Sequence, residues 1–414
     1  MKNYTIRNIN ELLLMSGDMA QFGHTKEELL GLLPDAALAI VDGKITWYGP
    51  DAELPERFKN AEIIDATGMV ALPGLVDSHT HLAFAGSREL EYELRCGGVS
   101  YADIAQRGGG IKFSVEQTRG ASFEDLYEQT RARLWRMLEL GVTTVEIKSG
   151  YGLDRDTEMR QLEVVRKLKQ EFPGTLFATY LGAHEVPKEL SREKYLKLIC
   201  DEVLPLVAQS GLAQFCDVFC EKSVYTVDES RRVLSRAREL GLGLKIHAEE
   251  LSCLGGAELA AEMRAVSADH LMHVSDCGIE KMVKQGVTFN LLPGTTLFLG
   301  KKEYAPARKI IEKGGRVALS TDCNPGSCPC ENLLFITTLG CSQMRMSPAE
   351  ALWAVTRGGA YALGHGEDFG QIKLHGRADV ALFEAEHFQG IPYGFGRNRL
   401  AKLFVGGELV INAF

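Results

Sequence analysis

The sequence has no excess of basic residues. It contains 46 Lys and Arg against 55 Asp and Glu, which gives a formal net charge of −9. A protein that binds nucleic acid usually carries clustered positive charge that neutralises phosphates. We therefore expect no nucleic-acid partner and favour a small-molecule substrate.

Long apolar runs are absent as well. No uninterrupted apolar stretch reaches the roughly 18 residues that a membrane-spanning helix needs. Near the N-terminus the apolar run covers only residues 12–15 and follows Glu11, which is too short for the core of a signal peptide. Both absences predict a cytoplasmic protein with no membrane partner.

Cysteine pairs of the zinc-finger kind are also missing. The ten cysteines of this 414-residue chain are too sparse for a disulfide scaffold. Cys216 and Cys220 stand close together, as do Cys328 and Cys330, but neither pair has a second pair at zinc-finger spacing. We predict ordinary thiols at these positions, with a structural zinc site as the alternative.

Both ends of the chain are rich in short β-like runs. Residues 1–72 include AALAIVDGKITWYG and AEIIDATGMVALPG, which contain Asp-Gly and Thr-Gly turn signals. Residues 372–414 include ADVALFEAE and LAKLFVGGELVINAF. We predict that the two ends pair into one small β-sandwich domain.

Residues 73–371 alternate strand-like apolar runs with helical patterns, which is typical of repeated βα units. One helix is predicted over residues 122–140, where Ser122 and Asp125 form a capping-box-like start and Gly141 follows the last turn. Strands are predicted at 75–82, 143–148, 176–181, 215–220, 243–247, 268–273, 287–292 and 317–321. The predicted fold class is therefore α/β, a (β/α)8 TIM-type barrel, whose active site lies where the strands end.

Polar side chains stand at the ends of these predicted strands. They are His79, His81, Lys148, His184, Glu221, His247, His270 and Asp322. Each one alone is more readily explained as a structural residue with a satisfied hydrogen bond. Together they are harder to explain by packing, so this face of the barrel is the candidate active site.

Four of these residues form a candidate metal site. His79 and His81 lie two apart on one strand, so both side chains point to the same face, here the barrel interior. Two buried imidazoles bonded only to backbone are the alternative, which is costly without a charge or a metal. With His247 and Asp322 they offer three imidazoles and one carboxylate, which suits zinc or iron and leaves a position for an activated water.

The motifs around these residues resemble the amidohydrolase superfamily over the whole chain. His79 and His81 after PGLVD, a His on the fifth and on the sixth strand, and an Asp on the eighth carry the resemblance. Three motifs narrow it to the imidazolonepropionase family: AGSRELEYELRCGGVSYADIAQRGGGI (85–111), VEIKSGYGLD (145–154) and STDCNPGS (320–327). The resemblance implies hydrolysis of the cyclic amide of 4-imidazolone-5-propanoate to N-formimidoyl-L-glutamate, a step of histidine degradation.

The resemblance also implies roles for individual residues. The metal ligands would be His79, His81, His247 and Asp322, holding one Zn²⁺ or Fe³⁺ ion per subunit. The substrate contacts would be Arg88, Tyr151, His184, Glu250, Asn324, Gly326 and Ser327. Glu250, His270 and Asp322 would share proton transfer, and His184 would help the metal to hold the oxyanion. A homodimer is one possible assembly.

Two features qualify the resemblance. Glu249 stands where the shorter Asp is expected, and the loop after the eighth strand carries cysteines that the family does not require.

Amidohydrolases with two metals bridge them by a carboxylated lysine at the end of the fourth barrel strand. Here the strand-end lysine, Lys148, belongs to the second strand and Glu221 ends the fourth, so one metal is predicted.

Several assignments keep an alternative. Arg88 could bind a substrate carboxylate through its planar guanidinium, or pair with Glu89 or Glu91 at the surface. Tyr151, between two glycines, could approach a ligand or belong to a simple turn. Glu250 could act as a base or cap the helix that follows.

Two loops are equally open to two interpretations. The glycines at 108–110 could form the hinge of a lid or a plain linker. The turn Asn324-Pro325-Gly326 could present backbone groups to a ligand or merely end the eighth strand.

Two other functions compete with this hypothesis. A deaminase or cyclic amidase acting on another heterocycle would use the same metal and water, although Arg88 and the Tyr151 loop argue against it. A barrel without activity, used as a scaffold, would be favoured by the loss of a metal ligand, and none is missing here.

Overall fold

The computed structural model describes residues 2–21, 23, 25–99, 103 and 109–413. Within them, eight parallel strands lie side by side in chain order, and the first and last come together through a bridge between Thr80 and Cys323. The barrel strands are β6 (Leu75–Thr80), β7 (Val142–Lys148), β8 (Thr175–Ala183), β9 (Phe215–Cys220), β10 (Gly243–Ala248), β11 (Ser267–His270), β12 (Thr288–Leu291) and β13 (Val317–Leu319). Each overlaps a predicted strand, so the predicted barrel is confirmed.

Helices connect the barrel strands, and two short helices, Lys26–Leu30 and Gly390–Tyr393, lie in the segments at the chain ends. The α-helices are Lys26–Leu30, Glu89–Cys96, Ile111–Gly120, Phe123–Leu138, Arg155–Leu168, Arg192–Lys197, Leu204–Ser210, Val227–Glu239, Gly256–Glu262, Asp276–Gln285, Pro293–Phe298, Ala307–Glu312, Leu333–Met344, Pro348–Trp353, Gly359–Tyr361 and Gly390–Tyr393. Two π-helical turns, Leu198–Val203 and Ala354–Gly358, join consecutive α-helices, and two 3₁₀ turns, Asp51–Glu53 and Glu56–Phe58, lie in the N-terminal segment.

The helix Phe123–Leu138 illustrates how local sequence sets these elements. The Ser122 hydroxyl accepts a hydrogen bond from the Asp125 backbone N–H at 3.1 Å, which caps the first turn. Leu126, Leu134 and Met137 are buried along one side. Gly141, with φ of 92°, turns the chain into β7.

A second sheet is built from both ends of the chain. It contains β1 (Tyr4–Leu13), β2 (Leu32–Val41), β3 (Lys44–Pro50), β4 (Glu62–Asp65), β5 (Met69–Pro73), β14 (Val380–Glu384), β15 (Leu400–Val405) and β16 (Glu408–Asn412). The N-terminal strand β5 pairs antiparallel with the C-terminal strand β14, with Val70 opposite Phe383. The prediction that the two ends form one small β domain is confirmed.

Two apolar clusters form most of the core. The larger one joins the barrel and its helices to part of the terminal sheet, including Leu72 and Phe383, and a separate one, which includes Ile6, Leu38 and Val380, lies within the terminal sheet. We propose that residues 1–72 and 372–414 form the two parts of the small domain and that residues 73–371 form the barrel between them.

Part of the 85–111 motif falls outside the described residues, including Gly108 of the glycine run. Gly110 is described, with φ of 78°, and it precedes the helix Ile111–Gly120. None of the helices in the described part of the chain is long and apolar enough to cross a membrane.

Candidate metal and substrate site

Four predicted ligands meet inside the barrel mouth. The Nε2 atom of His81 lies 3.3 Å from Nε2 of His79 and 3.4 Å from Nε2 of His247. The Oδ1 atom of Asp322 lies 3.4 Å from Nε2 of both His79 and His81. All four side chains are buried. The strands β6, β10 and β13 therefore bring together residues that are far apart in sequence.

The chemistry of these donors fits a cation between them. Nδ1–H of His79 donates to Asp269 Oδ2 at 2.5 Å, and Nδ1 of His247 lies 3.0 Å from Asp217 Oδ2. The hydrogen bond at Nδ1 of His79 leaves its Nε2 with a lone pair, and the carboxylate close to Nδ1 of His247 favours the same tautomer there. Lone pairs and a carboxylate packed together repel one another unless a cation lies among them. Tetrahedral ligands about 2.1 Å from one ion are about 3.4 Å apart, which matches the distances from His81 to His79 and His247 and from Asp322 to His79 and His81. Among the described residues, the ligand atoms of His79, His81 and His247 form one close group, and those of His79, His270 and Asp322 form another.

The two carboxylates behind the histidines were not predicted from the sequence. Asp217 lies within β9 and Asp269 within β11, and both are buried. The signal was an acidic residue inside an otherwise apolar strand, as in FCDVFC, because a buried carboxylate needs a partner. A carboxylate behind a ligating imidazole fixes its orientation and raises its basicity.

Lys148 lies beneath these carboxylates. Its Nζ atom is 2.7 Å from Glu146 Oε1, 2.9 Å from Asp217 Oδ2 and 3.8 Å from Asp269 Oδ2. Burial alone would lower the pKa of Lys148, but Asp217 and Glu146 outweigh it and raise that pKa above the ordinary value. The lysine is thus a charged structural partner of these carboxylates. It is separate from the donor cluster, which consists of three Nε2 atoms and the Oδ1 atom of Asp322.

Three strand-end residues of the site have left-handed backbone. The φ angles are 57° for Glu249, 79° for His270 and 54° for Asp322. Such angles cost about 1–3 kcal/mol in a residue other than glycine and recur at functional sites. Asp322 is held by its backbone N–H, which donates to His79 O at 3.0 Å, and by the Thr295 hydroxyl, which donates to Oδ2 at 2.5 Å. Thr295 was another residue that the sequence did not reveal.

A cavity of about 680 Å³ opens above the four donors. Ten of the twelve predicted site residues line it: His81, Arg88, Tyr151, His184, His247, Glu250, His270, Asp322, Asn324 and Ser327. His79 lies at the bottom of the donor cluster, and Gly326 packs against Arg88. A more open groove of about 1200 Å³ lies beside the C-terminal sheet and is lined by none of these residues.

His184 lies flat against His81, with ring centroids 5.2 Å apart and an angle of 19° between the planes. Its Nδ1 is 2.9 Å from the carbonyl oxygen of Gly150, which can only accept, so the proton is on Nδ1. Burial, together with His81 and His247, lowers the pKa of His184 to about 3. At neutral pH its Nε2 therefore accepts a hydrogen bond and does not donate one.

The loop that presents Tyr151 is held by one buried carboxylate. Glu158 accepts hydrogen bonds from the backbone N–H groups of Gly150 at 3.1 Å, Gly152 at 2.8 Å and Leu153 at 2.9 Å. Adding a Cβ at Gly152 would place it 2.6 Å from the Glu158 backbone nitrogen, so this close approach requires glycine. The loop is therefore rigidly built around the cavity wall, beyond what a simple turn needs.

The neighbours Glu249 and Glu250 face opposite ways. Glu249 is buried and accepts hydrogen bonds from the backbone N–H groups of Leu254, Gly255 and Ala257, which stabilises the start of the helix Gly256–Glu262. Glu250 faces the cavity, with Oε2 3.8 Å from Nε2 of His270. The capping role considered for Glu250 thus belongs to Glu249.

Glu221, at the end of β9, is also a structural residue. Its Oε2 accepts hydrogen bonds from the backbone N–H groups of Leu251 at 2.9 Å and Ser252 at 3.3 Å. Those bonds hold the loop after β10 and place Glu221 away from the donor cluster. No cysteine belongs to the groups of potential metal ligands found among the described residues, and all ten are free thiols.

The loop after β13 is a tight turn built on Asn324. Its Oδ1 accepts hydrogen bonds from the backbone N–H groups of Gly326 at 2.9 Å and Ser327 at 2.8 Å, while Nδ2 donates to Asp322 O at 2.7 Å. The turn therefore ties the substrate side of the cavity to the ligand Asp322.

The chain is similar to known proteins over its whole length. The Amidohydrolase family model matches residues 70–410. The imidazolonepropionase of Alkaliphilus metalliredigens is 46% identical over 100% of this chain and 99% of its own length. That of Bacillus velezensis is also 46% identical, over 98% of this chain and 96% of its own length.

Solved structures share the fold at lower identity. A triazine hydrolase variant superposes with a TM-score of 0.73 at 20% identity, covering 99% of this chain and 95% of the other. An adenosine deaminase from Xanthomonas campestris with bound zinc also has a TM-score of 0.73, at 18% identity, with 99% and 93% covered. The chain belongs to the amidohydrolase family and, within it, to the imidazolonepropionases.

Proposed function

We propose that this chain hydrolyses the ring amide C–N bond of 4-imidazolone-5-propanoate to give N-formimidoyl-L-glutamate. The observation that carries the proposal is one cavity that has a four-donor metal cluster at its base and a buried arginine on its wall. The substrate has a matching flat cyclic amide and an anionic tail. The full-length similarity to imidazolonepropionases supports the same reaction.

The proposed metal ligands are His79, His81, His247 and Asp322. Three imidazoles and one carboxylate suit zinc or iron, and we propose one such ion per subunit. When bound, the ion supplies Lewis-acid polarisation of the carbonyl and a nucleophilic water at neutral pH. Asp217 and Asp269 would keep two of the imidazoles oriented for it.

The proton-transfer residues we propose are Glu250, His270 and Asp322. Glu250 lies at the cavity wall with its carboxylate near the His270 ring, so the pair can take a proton from the attacking water and return one to the departing ring nitrogen. Asp322 can pass a proton between them because its Oδ1 faces the donor cluster.

We propose a substrate-binding role for His184 that follows from its tautomer. With the proton on Nδ1, Nε2 can accept a hydrogen bond from a ring N–H of the imidazolone. The sequence predicted that His184 helps to hold the oxyanion, but that role needs a hydrogen-bond donor at Nε2. With the proton on Nδ1, the metal alone would hold the oxyanion. An acceptor at Nε2 of His184 would favour a ring that carries an N–H at the facing position. It would therefore distinguish imidazolones from heterocycles that have an oxygen there.

The proposed contacts to the propionate are Arg88 and the turn after β13. Arg88 is buried at 7% exposure, and a guanidinium can bind a carboxylate at two points. Asn324 and Ser327 form the adjacent wall, Gly326 packs against Arg88 behind it, and Tyr151 approaches from the other side beside His81. A cation in this position is unnecessary for a neutral heterocycle, which disfavours the alternative deaminase or amidase.

The decisive experiment is a direct assay. Purified protein loaded with zinc, and separately with iron, is mixed with 4-imidazolone-5-propanoate while the ultraviolet absorbance of the ring is followed. We expect loss of absorbance and formation of N-formimidoyl-L-glutamate by mass spectrometry. Turnover of other cyclic amides with none of this substrate would favour the alternative hydrolase. A protein that binds metal but turns over no heterocycle would favour the scaffold.

A further inference from the structure

We infer that Glu91 is a positioning residue that orients Arg88 for the substrate carboxylate. The inference rests on the proposed function, in which Arg88 binds the propionate. The sequence offered Glu91 only as a surface partner that would exclude Arg88 from the cavity. The structure shows both properties at once, because Arg88 lines the cavity and also pairs with Glu91.

The pair uses one edge of the guanidinium. Glu91 Oε2 accepts hydrogen bonds from Arg88 Nε at 2.9 Å and lies 2.8 Å from Nη2. The two side chains are only 5% and 14% exposed, so water screens the interaction weakly. Holding Nε and Nη2 fixes the plane of the guanidinium and the direction in which Nη1 points.

The second oxygen of Glu91 reaches a different segment. Glu91 Oε1 accepts a hydrogen bond from the backbone N–H of Gly110 at 3.0 Å. Gly110 is the residue before the helix Ile111–Gly120, and its φ of 78° with ψ of −153° is a conformation that only glycine adopts readily. One carboxylate thus ties Arg88 to the residue that precedes this helix.

The opposite side of the guanidinium rests on Gly326. A Cβ built there would lie 1.8 Å from Arg88 Nη1, so the close approach depends on the missing side chain. Arg88 is therefore held between Glu91 at one edge and the turn after β13 at the other. This fixed position is what a two-point bond to a carboxylate requires.

The charge of Glu91 makes the inference sharply testable. As a mere counter-ion, Glu91 would compete with the substrate carboxylate for Arg88, and removing its charge would tighten substrate binding. As a positioning residue, its removal would weaken binding. Glutamine cannot replace it, because its single amide oxygen can serve either Arg88 or Gly110 and its NH₂ group would face the other N–H donor.

The test compares Glu91→Gln with Glu93→Gln, which removes the same charge from an exposed side chain on the same helix. None of the side chains of that helix is fully buried, so both variants are expected to fold. We expect Glu91→Gln to raise KM for 4-imidazolone-5-propanoate about tenfold or more, because weakening a charged hydrogen bond to the substrate lowers its affinity by about that factor. We expect kcat to stay within about threefold, because the reacting groups are untouched.

A binding measurement separates this inference from the proposed function. Calorimetry on zinc-loaded protein would compare 3-(imidazol-4-yl)propanoate with its primary amide. The unmodified protein and Glu93→Gln should prefer the carboxylate, and Glu91→Gln should lose about tenfold of that preference. An unchanged or lower KM in Glu91→Gln, or an undiminished carboxylate preference, overturns the inference. Absence of turnover in the unmodified protein would refute the proposed function, while the inhibitor pair would still decide the role of Glu91.

Discussion

Asp217 Oδ2 lies 3.0 Å from His247 Nδ1 and 2.9 Å from Lys148 Nζ, deep in the barrel. Burial opposes its ionisation, yet His247 and Lys148 hold the pKa of Asp217 well below its usual range. The carboxylate therefore stays charged at neutral pH. A charged carboxylate this close to Nδ1 of His247 makes the imidazole a stronger ligand through its opposite nitrogen.

We predict that Asp217→Asn lowers metal affinity by about 10- to 100-fold, the usual effect of losing such a partner. Glu221→Gln is the matched control, because it changes a buried acid at the end of the same strand that bonds to the backbone at residues 251 and 252. Competition with a chromophoric chelator measures both affinities. Equal affinities in the two variants would show that Asp217 does not support the metal.

Loss of a ligand should release the ion. We predict that His79→Ala and His247→Ala each lose both bound metal and activity, because the remaining donors hold the ion poorly. His387→Ala, at an exposed histidine beside the terminal sheet, should retain both. Elemental analysis after gel filtration gives the stoichiometry. Full metal occupancy in either ligand variant would rule out the proposed site.

Glu250 and Glu249 form a natural pair of test positions. Removing a general base costs about 10²- to 10⁴-fold in rate, so Glu250→Gln should keep its metal and lose at least a hundredfold in kcat. Glu249→Gln should instead lose about 0.5–2 kcal/mol of stability, as expected for a weakened helix cap, with near-normal kcat. Melting curves and kcat are measured on both. A normal kcat in Glu250→Gln would transfer the base role to His270 or Asp322.

Arg88 should show its role through KM. Arg88→Lys keeps the charge but loses the planar pair of donors, so we predict a rise in KM of about tenfold or more. Gly326→Ala should also raise KM, because the added methyl group would push Nη1 of Arg88 out of the position in which it binds the substrate carboxylate. If both act through the guanidinium, the double variant will be less than additive. Arg95→Lys, another arginine at the cavity wall, is the control, and a rise in KM as large as that of Arg88→Lys would contradict the assignment.

His184 should remain neutral across the physiological range. Its pKa is lowered to about 3 by burial and by His81 and His247, whereas the unfolded chain titrates near 6.5. The folded state thus excludes a proton that the unfolded state binds below 6.5. The contribution of His184 to stability is full above pH 6.5 and falls as pH drops towards 3.

Nitrogen-15 spectra of labelled histidine test this directly. The His184 signals, assigned by their loss in His184→Gln, should show a protonated Nδ1 and an unprotonated Nε2 from pH 8 to pH 5. A titration midpoint above pH 5 would remove the proposed acceptor role. In that case His184 could donate to the oxyanion, as the sequence-based prediction has it.

The barrel and the donor cluster could be predicted from the sequence because each follows from a local signal. Strands appear as apolar runs, and their ends share one face, so His79, His247 and Asp322 could be brought together without coordinates. The same topology places Lys148 on the second strand. The sequence does not indicate on which side of that strand Lys148 is buried. Its contacts with Glu146 and Asp217 depend on packing across the barrel.

The residues behind the site could not be predicted in the same way. Asp269 and Thr295 contact the ligands from neighbouring elements, and no spacing in the chain records those contacts. The opposite directions of Glu249 and Glu250 follow from the alternation of side chains along a strand, but the bonds of Glu249 to the start of the next helix, made from a left-handed φ, have no local signal in the sequence. Likewise, the tautomer of His184 follows from one carbonyl oxygen in another loop.

The pairing of β5 with β14 has a consequence for synthesis on the ribosome. Val70 emerges more than three hundred residues before its partner Phe383, so β5 waits with one edge open while the whole barrel is made. Strand edges left open during synthesis are the places where nascent chains associate wrongly. A chain that stops shortly before residue 380 would carry every proposed ligand and still be prone to aggregate, and chaperone demand should fall sharply once the last three strands are released.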